Sequence, residues 1–273
     1  GNANDRFGYS VSISGNYAIV GVPGDDAYKG SARIYFYNGV TWVLVNAITD
    51  PSGAVGDQFG HSVSIYENYA AAGALVDDVG INNSQGSACV FRQNGTNWVF
   101  QQKLTDPAGA AGDEFGYSMS MGKERIAIGA GSDDIGANAN AGSVTVFKFN
   151  GTSWLLEEKI NGVNSESHFG RSVSFSGNYL VVGVPDDFIT YNGVTDISEG
   201  SAYIYHKDNT NSWDNSQRIK LFRPSGSEYN YFGNSVSISG DYLLVGSYGD
   251  DVGTSVVEGS CTQYKKINAN NWQ

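Results

Sequence analysis

The sequence is poor in proline, cysteine, histidine and positive charge. Its 273 residues include five prolines, two cysteines and three histidines, and so little proline excludes collagen-like and proline-rich disordered chains. Lys and Arg number 16 against 28 Asp and Glu, a net charge of −12, which repels phosphate backbones. No apolar run is long enough for a membrane-spanning helix. We therefore expect neither nucleic acid nor a bilayer interior as a partner.

Glycine is abundant, at 36 residues, and much of it belongs to a repeated line. Phe-Gly followed by a short alternating segment occurs five times, beginning at Phe7, Phe59, Phe115, Phe169 and Phe232. An apolar segment ending in Gly, an Asp-Asp pair and a Gly-Ser step come next in each copy. Each copy then reaches a tryptophan: Trp42, Trp98, Trp154, Trp213 and Trp272. Five copies of one unit predict an array of similar modules.

Each unit has the pattern of four short strands. In the first unit, apolar and small or polar residues alternate with period 2, and turn residues such as Ser14-Gly15-Asn16 and Asn38-Gly39 separate the segments. The predicted strands are Tyr9–Ser14, Tyr17–Val22, Ala32–Tyr37 and Trp42–Ile48. Four antiparallel strands cover both faces of their sheet only by stacking on neighbours. We therefore predict an all-β fold, a single β-propeller domain over residues 1–273 with five four-stranded blades.

The last unit is expected to lack its outer strand, because the sequence stops at Trp272-Gln273. Three interpretations stay open. The sequence is a fragment of a longer propeller, or it forms a compact five-blade ring with a frayed last blade. In the third, a neighbouring subunit pairs with the edge at residues 261–265 and builds a filament.

The apolar segments carry a family resemblance. Phe-Gly followed by Val-Gly-Val-Pro at 20–23 or Ile-Gly-Ala-Gly at 128–131 resembles the FG-GAP repeat of the integrin α-subunit propeller. The Ser-Gly-Asn-Tyr hairpin and the tryptophan of strand four are more similar to bacterial FG-GAP proteins. The resemblance covers essentially the whole chain. It implies an extracellular propeller, secreted or at the cell surface, that acts in adhesion or ligand recognition.

Two features bear on this implication. Integrin-like repeats often place a calcium loop between strands one and two, but here that hairpin is as short as Ser14-Gly15-Asn16, which offers too few oxygens for calcium. Three Asn-x-Ser/Thr triplets, at Asn82, Asn94 and Asn150, are candidate N-glycosylation sites and fit a secreted protein. Such triplets also arise by chance in an asparagine-rich chain.

The two ends of the strands are predicted to differ. Hairpins one-two and three-four lie at one end and are short, whereas the two-three and four-one connections lie at the other and are long, as in Leu75–Gly86 and Pro185–Gly200. We call this second end the long-loop face. Long loops on a rigid scaffold are where recognition usually resides.

The long-loop face is also predicted to be acidic. Every two-three loop has an Asp pair: Asp25-Asp26, Asp77-Asp78, Asp133-Asp134, Asp186-Asp187 and Asp250-Asp251. The four-one connections add Asp5, Asp50, Asp57, Asp106 and Asp113. These carboxylates are candidate ligands of a hard cation such as Ca²⁺, or a surface for a basic partner. The interpretation we favour is structural, since Asp accepts backbone N–H bonds in tight loops.

The residue directly after Phe-Gly varies. It is Tyr9, His61, Tyr117, Arg171 or Asn234, and it enters the innermost strand from the long-loop face. These five are the candidate ligand contacts, although relaxed selection at an exposed site explains the variation equally well. The repeated tryptophan is assigned to packing rather than to a sugar platform.

Catalysis is not expected. His61, His168 and His206 occupy different positions of their units and form no His-Glu-x-x-His motif. Cys89 and Cys261 lie in non-adjacent units and are predicted to be buried free thiols. We therefore predict a non-enzymatic binding or adhesion module that recognises a glycan or protein through the long-loop face. The alternative is a structural subunit of an extracellular assembly that uses the open edge.

Overall fold

The computed structural model describes residues 3–191, 194–196, 198–207, 212–213, 218–223, 229–251 and 257–273. Over these residues it has five four-stranded sheets, and the first two follow the predicted pattern. Sheet 1 consists of β1 (Val11–Ser14), β2 (Tyr17–Val22), β3 (Ser31–Tyr37) and β4 (Trp42–Ile48), with one short helical turn, α1 (Asp25–Tyr28), between β2 and β3. Sheet 2 consists of β5 (Val63–Tyr66), β6 (Tyr69–Ala74), β7 (Ser87–Asn94) and β8 (Asn97–Leu104).

The other three sheets repeat this order. Sheet 3 consists of β9 (Ser118–Met121), β10 (Arg125–Ala130), β11 (Ser143–Phe149) and β12 (Trp154–Asn161). Sheet 4 consists of β13 (Ser172–Ser176), β14 (Tyr179–Val184), β17 (Ser201–His206) and β18 (Ile219–Leu221). Sheet 5 consists of β19 (Ser235–Ser239), β20 (Tyr242–Ser247), β21 (Ser260–Asn268) and β22 (Asn271–Trp272). Five four-stranded antiparallel sheets are consistent with propeller blades, so the predicted fold class is confirmed.

The predicted strand boundaries need small corrections. In sheet 1, β2 and β4 begin and end as predicted, while β1 begins two residues later and β3 one residue earlier. The prediction that the fifth unit lacks its outer strand is wrong, because β22 pairs with β21 through Lys266↔Trp272 and Asn268↔Asn271. The loop Pro185–Gly200 contains a hairpin that was not predicted, β15 (Ile189–Tyr191) with β16 (Val194–Asp196).

The chain divides into two compact units. The first contains residues 1–128 and 147–155, with sheets 1 and 2 and part of sheet 3; the second contains residues 129–146 and 156–273, with the rest of sheet 3 and sheets 4 and 5. Each unit is described by itself below. The single domain over residues 1–273 stays a prediction.

Inside each unit, consecutive sheets pack face to face. Alternation along the first strand gives a front face with the larger side chains, such as Val11 and Ile13, and a back face with the serines. The front face of sheet 2, with Val63 and Ile65, packs on Ile19 of the back face of sheet 1 in one buried cluster. In the second unit, Ile238 and Leu243 of sheet 5 pack in the same way on Val181 of sheet 4.

The Phe-Gly step locks one sheet onto the next. Phe59 is fully buried and forms a parallel bridge with Gly30 of sheet 1. Gly60 has a φ of +89°, a conformation that glycine adopts without strain, and its carbonyl accepts a hydrogen bond of 2.9 Å from Ser10 Oγ. A Cβ at Gly21 would overlap that carbonyl. The motif recurs because each sheet-to-sheet junction needs both a buried ring and a side-chain-free backbone.

Candidate functional site

Three of the five residues predicted to contact a ligand form a ladder. Tyr9, His61 and Tyr117 follow one another across the first strands of sheets 1 to 3, with ring centroids 4.9 Å and 5.0 Å apart. The Tyr9 hydroxyl lies 3.2 Å from His61 Nε2, and His61 Nδ1 lies 3.2 Å from the Tyr117 carbonyl oxygen. Tyr9 is 51% exposed. The ladder therefore presents aromatic surface and hydrogen-bonding atoms together.

The backbone before each ladder residue explains why the three side chains share one direction. The N–H groups of Tyr9, His61 and Tyr117 donate to the carbonyls of Arg6, Gln58 and Glu114, at 3.0 to 3.1 Å. Those three acceptor residues have φ between 57° and 59°. A turn with two positive-φ residues, this acceptor and the glycine of Phe-Gly, thus precedes every copy and fixes where the chain enters its first strand.

The other two candidate ligand contacts lie in the second unit. The Arg171 side chain passes beside Gly131, and Asn234 lines a small cavity of about 190 Å³ with Ser235, Gly246 and Tyr248. Tyr248 stacks on Tyr231 with centroids 4.6 Å apart and an interplanar angle of 5°. Burial, Tyr231 and the nearby charge of Asp186 raise the pKa of the Tyr248 hydroxyl, while Arg171 opposes the shift. This unit therefore combines aromatic rings with both signs of charge.

One aspartate of each predicted pair, here called the inner aspartate, bonds to other residues of the sheets and loops. The inner aspartates are Asp25, Asp77, Asp133, Asp187 and Asp250. In sheets 1 and 3 the carboxylate of the inner aspartate accepts a hydrogen bond from the serine of the Gly-Ser step, from Ser31 to Asp25 at 2.6 Å and from Ser143 to Asp133 at 2.5 Å. It also forms an ion pair with a basic side chain of the same sheet or of an adjoining loop. The pairs are Asp25–Arg33, Asp77–Lys103, Asp133–Lys159, Asp187–Lys220 and Asp250–Arg223. The cation bound to these carboxylates is an amino-acid side chain.

Sheet 2 has the most elaborate of these clusters. Lys103 Nζ lies 2.5 Å from Asp77 Oδ2 and 2.9 Å from Asp50 Oδ2. Burial raises the pKa of Asp50, but the bonds from Lys103 and Ser52 outweigh it and hold this pKa below its usual value. Burial and the charges of Asp77 and Asp50 raise the pKa of Asp57. One lysine thus serves several carboxylates, and Asp57 is less stabilised as an anion than Asp50.

The outer aspartate of a pair is exposed and caps the loop. Asp78 Oδ1 accepts the Ser84 N–H at 2.8 Å, and Asp134 Oδ1 accepts the Asn140 N–H at the same distance. Asp251 Oδ1 accepts the Val257 N–H at 2.7 Å. These contacts span six residues in each loop and match the structural interpretation of the pairs. Residues 192, 193, 197 and 252–256 of the fourth and fifth loops lie outside the described residues.

The fourth pair is out of register by one residue. Asp187, the second member, has the scaffold role: its carboxylate accepts bonds from Ser201 at 2.6 Å and Asn164 at 2.8 Å. Asp186 instead lies 3.0 Å from His168 Nδ1, and Phe188 occupies the outer position. The sequence does signal this shift, because only Val184 and Pro185 separate Gly183 from the pair.

Within the described ranges, no three or more His, Cys, Asp or Glu side chains come together in a group that could hold a metal ion. The exposed members of the aspartate pairs are Asp26, Asp78, Asp134 and Asp251. Each belongs to a separate loop, so each pair offers one exposed carboxylate to a cation or a basic partner.

The candidate glycosylation sites differ in their surroundings. The Asn82 side-chain amide donates to Gln85 Oε1 at 2.9 Å and to the Gly109 carbonyl at 3.1 Å, so it is held inside its loop. Asn94 and Asn150 are exposed in the hairpins that follow the third strands of sheets 2 and 3. Sequence reasoning missed Ile81, which is 96% exposed in the loop Leu75–Gly86. An apolar residue among loop asparagines was the available signal.

The comparison with protein families settles which group this repeat belongs to. The FG-GAP repeat model matches residues 1–35, 42–91, 98–147, 157–205 and 215–261. The chain belongs to the FG-GAP repeat family. The matches at 42–91 and 98–147 each begin in the fourth strand of one sheet and end in the third strand of the next. No curated protein matches the sequence.

Membership of the FG-GAP repeat family indicates the general class of function. FG-GAP repeats are found in adhesion and binding modules, are commonly extracellular, and their propellers are typically non-enzymatic. In the part of the chain that the structure describes, no helix is long and apolar enough to cross a membrane.

Proposed function

We propose that this chain is a non-enzymatic, extracellular binding or adhesion module whose long-loop face recognises a glycan or a protein. The observation that carries the proposal is the ladder of Tyr9, His61 and Tyr117. Aromatic faces with adjacent hydroxyl and imidazole groups bind the apolar faces and hydroxyls of sugars, and equally the side chains of a protein partner.

The two-three loops of sheets 1 and 2 also carry exposed side chains that favour the long-loop face as the binding surface. Ile81 is almost fully exposed and supplies an apolar contact, while Asp26 and Asp78 supply exposed negative charge. The inner aspartates are engaged in ion pairs, so the acidity available to a partner comes from the outer aspartates and from exposed glutamates such as Glu166 and Glu258. We therefore expect a partner with rings or hydroxyls and moderate positive charge.

A binding screen with matched variants tests the proposal. Glycan and extracellular-protein arrays are probed with the full chain, and hits are titrated against Tyr9→Ala, Ile81→Ser and Tyr37→Ala. Tyr37 is also partly exposed but lies where β3 enters the opposite, short-hairpin end. We expect Tyr9→Ala and Ile81→Ser to weaken binding about tenfold or more and Tyr37→Ala to leave it unchanged. Binding that survives both loop-face changes would contradict the assignment of this face.

Only the outer carboxylates are left for calcium, since the inner ones are paired, and a single carboxylate supplies few of the six to eight oxygens that the ion takes, so binding there would be weak. A calcium ion bound at Asp78 or Asp134 raises the melting temperature by mass action. The test is a melting curve with and without millimolar calcium, repeated with Asp78→Asn and Asp134→Asn. A shift that disappears in the variants supports these sites, and no shift leaves the carboxylates as loop caps alone.

A second candidate function is a structural subunit of an extracellular assembly. It is favoured by the outer edge of β21. Among the described residues, β21 pairs with the terminal segment only from Lys265 onward, and a strand of a neighbouring chain would pair with the backbone edge at 261–264. Inhibition of assembly by a synthetic strand peptide matching 261–268 would support it. Assembly that ignores the peptide would count against it.

A further inference from the structure

The front face of sheet 1 is uncovered, although the same face is covered in sheet 2. Phe7, Val11 and Ile13 are 58% to 69% exposed, whereas their counterparts Phe59, Val63 and Ile65 are 7% exposed or less. The uncovered side chains, with Tyr35 and Trp42, line an apolar groove of about 610 Å³. A contiguous apolar groove of this kind marks an interaction surface.

The chain itself shows what covers this face elsewhere. In three junctions, the tryptophan of one sheet packs edge-on against the tyrosine that begins the second strand of the preceding sheet. The pairs are Trp98–Tyr17 at 5.5 Å, Trp154–Tyr69 at 5.5 Å and Trp272–Tyr179 at 5.7 Å between centroids, with interplanar angles of 76°, 87° and 78°. Trp42, which is 41% exposed, is the counterpart of these tryptophans in sheet 1.

Serine hydroxyls fix the register of the same junctions. The Oγ atoms of Ser12, Ser64 and Ser174 accept the N–H groups of Ile65, Met121 and Ile238 of the next sheet, at 3.0 to 3.2 Å. A second serine in each strand donates to the carbonyl of the next Phe-Gly glycine, as Ser10 does to Gly60 and Ser172 to Gly233. At each junction the back face of one sheet thus supplies the serines, and the next sheet supplies the Phe-Gly step.

Sheet 5 presents the other half of this junction. On its back face, Tyr242 and Leu244 are 50% and 44% exposed, and Ser235 and Ser237 are exposed as well. A Cβ atom at Gly21 or Gly183 would overlap a carbonyl of the next sheet, that of Gly60 or Gly233. At Gly246, the same position in sheet 5, a Cβ atom would meet only Ser235 of its own sheet. Sheet 5 therefore carries the tyrosine, the serines and the open glycine position that the front face of sheet 1 fits.

We propose that two copies of this chain associate head to tail, with the back face of sheet 5 of one copy packed on the front face of sheet 1 of the other. Trp42 packs edge-on against Tyr242 of the second copy, the Ile13 N–H donates to Ser237 Oγ, and the Gly8 carbonyl accepts from Ser235 Oγ. Every copy presents both complementary halves, which is the condition for a heterologous interface. Packing of the two halves within one chain is the competing outcome, and it would give a monomer at every concentration. The association goes beyond the proposed function, since it uses neither the long-loop face nor the β21 edge.

Complementation between two variants tests the proposal. Sedimentation velocity over a wide concentration range is measured for the full chain, for Trp42→Ala, for Tyr242→Ala, and for an equimolar mixture of the two. We expect the unchanged chain to associate and each variant to associate at least about tenfold more weakly. The mixture forms a heterodimer of near-normal affinity, because one variant keeps an intact sheet 5 and the other an intact sheet 1. Leu155→Ala, at a position 52% exposed on β12, is the control and leaves association unchanged.

Cysteine labelling gives a second readout. Cys89 is buried as predicted, but the prediction of a buried thiol is wrong for Cys261, which is exposed because the back face of sheet 5 is uncovered. A thiol reagent therefore modifies Cys261 alone in the folded chain. Cys261 pairs with Gly246 as Ala202 pairs with Gly183, and Ala202 lies in a buried cluster with Phe232 of the next sheet. Association therefore slows the labelling of Cys261, and Trp42→Ala restores the rate. A chain that sediments as a monomer at every concentration, or variants that associate like the unchanged chain, would overturn the proposal.

Discussion

Sheets 1 and 2 are built from the same line of residues but differ in what surrounds them. Phe59 of sheet 2 is fully buried against sheet 1, while Phe7 of sheet 1 is largely exposed. The inner aspartate of sheet 2, Asp77, is 4% exposed and shares Lys103 with Asp50, whereas Asp25 of sheet 1 and its partner Arg33 are both partly exposed. The repeat therefore specifies the junction between two sheets rather than a single sheet. Its residues stabilise the fold fully only where a neighbouring sheet buries them.

The largest expected difference concerns the phenylalanines. Phe59→Ala removes a fully buried ring and should lower the free energy of unfolding by about 3 to 5 kcal/mol, whereas Phe7→Ala should cost less than about 1 kcal/mol. Urea unfolding followed by tryptophan fluorescence measures both, at a concentration low enough to keep the chain monomeric. Equal losses would mean that the front face of sheet 1 is covered in solution.

The sequence predicted some strands correctly and missed two local features. The alternation in Tyr17–Val22 and Trp42–Ile48 predicted both strands correctly, because a period of 2 and tight turns are local properties. The short pairing of Trp272 with Lys266 was missed, because β22 has only two residues and is too short to show an alternating pattern. The shift of Asp186-Asp187 was missed because the pairs were aligned by residue type instead of by distance from the preceding glycine.

The candidate site was anticipated in part. The position after Phe-Gly was singled out from the sequence, and the structure brings three of its five residues, Tyr9, His61 and Tyr117, into one ladder; their contact with a ligand stays a prediction. That the inner aspartates have Lys or Arg partners could not be read from the chain, because Lys103 and Asp77 are 26 residues apart and meet only when the sheet forms. Their pairing is a property of the fold.

The second prediction compares the two ion-pair clusters. Lys103→Met leaves Asp50 and Asp77 buried without their cation, which should cost about 3 kcal/mol. Arg33→Met removes one partner of a more exposed pair and should cost below about 1 kcal/mol. Thermal melting at neutral pH ranks the variants. A loss in Lys103→Met no greater than in Arg33→Met would show that solvent screens both clusters alike.

The smallest expected effects lie inside the sheet 2 cluster and have opposite signs. The pKa of Asp50 is lowered in the folded chain, so the unfolded chain binds its proton more tightly. The carboxylate of Asp50 therefore stabilises the fold above its unfolded pKa of about 3.9, and this contribution is lost as the pH falls through the lower folded pKa. The pKa of Asp57 is raised, so its ionisation in the folded chain costs stability at neutral pH, and this cost disappears below about pH 4.

Asparagine variants separate the two carboxylates. Asp50→Asn should destabilise the chain at pH 7 by about 1 to 2 kcal/mol, with the difference from the unchanged chain shrinking as the pH falls below about 4. Asp57→Asn keeps an oxygen that can accept the Ala54 N–H and removes the disfavoured charge, so it should be neutral or slightly stabilising at pH 7. Urea unfolding at several pH values measures both differences. If Asp57→Asn destabilised the chain as much as Asp50→Asn, Lys103 would be stabilising the two carboxylates alike. That result would contradict the opposite directions of their pKa shifts.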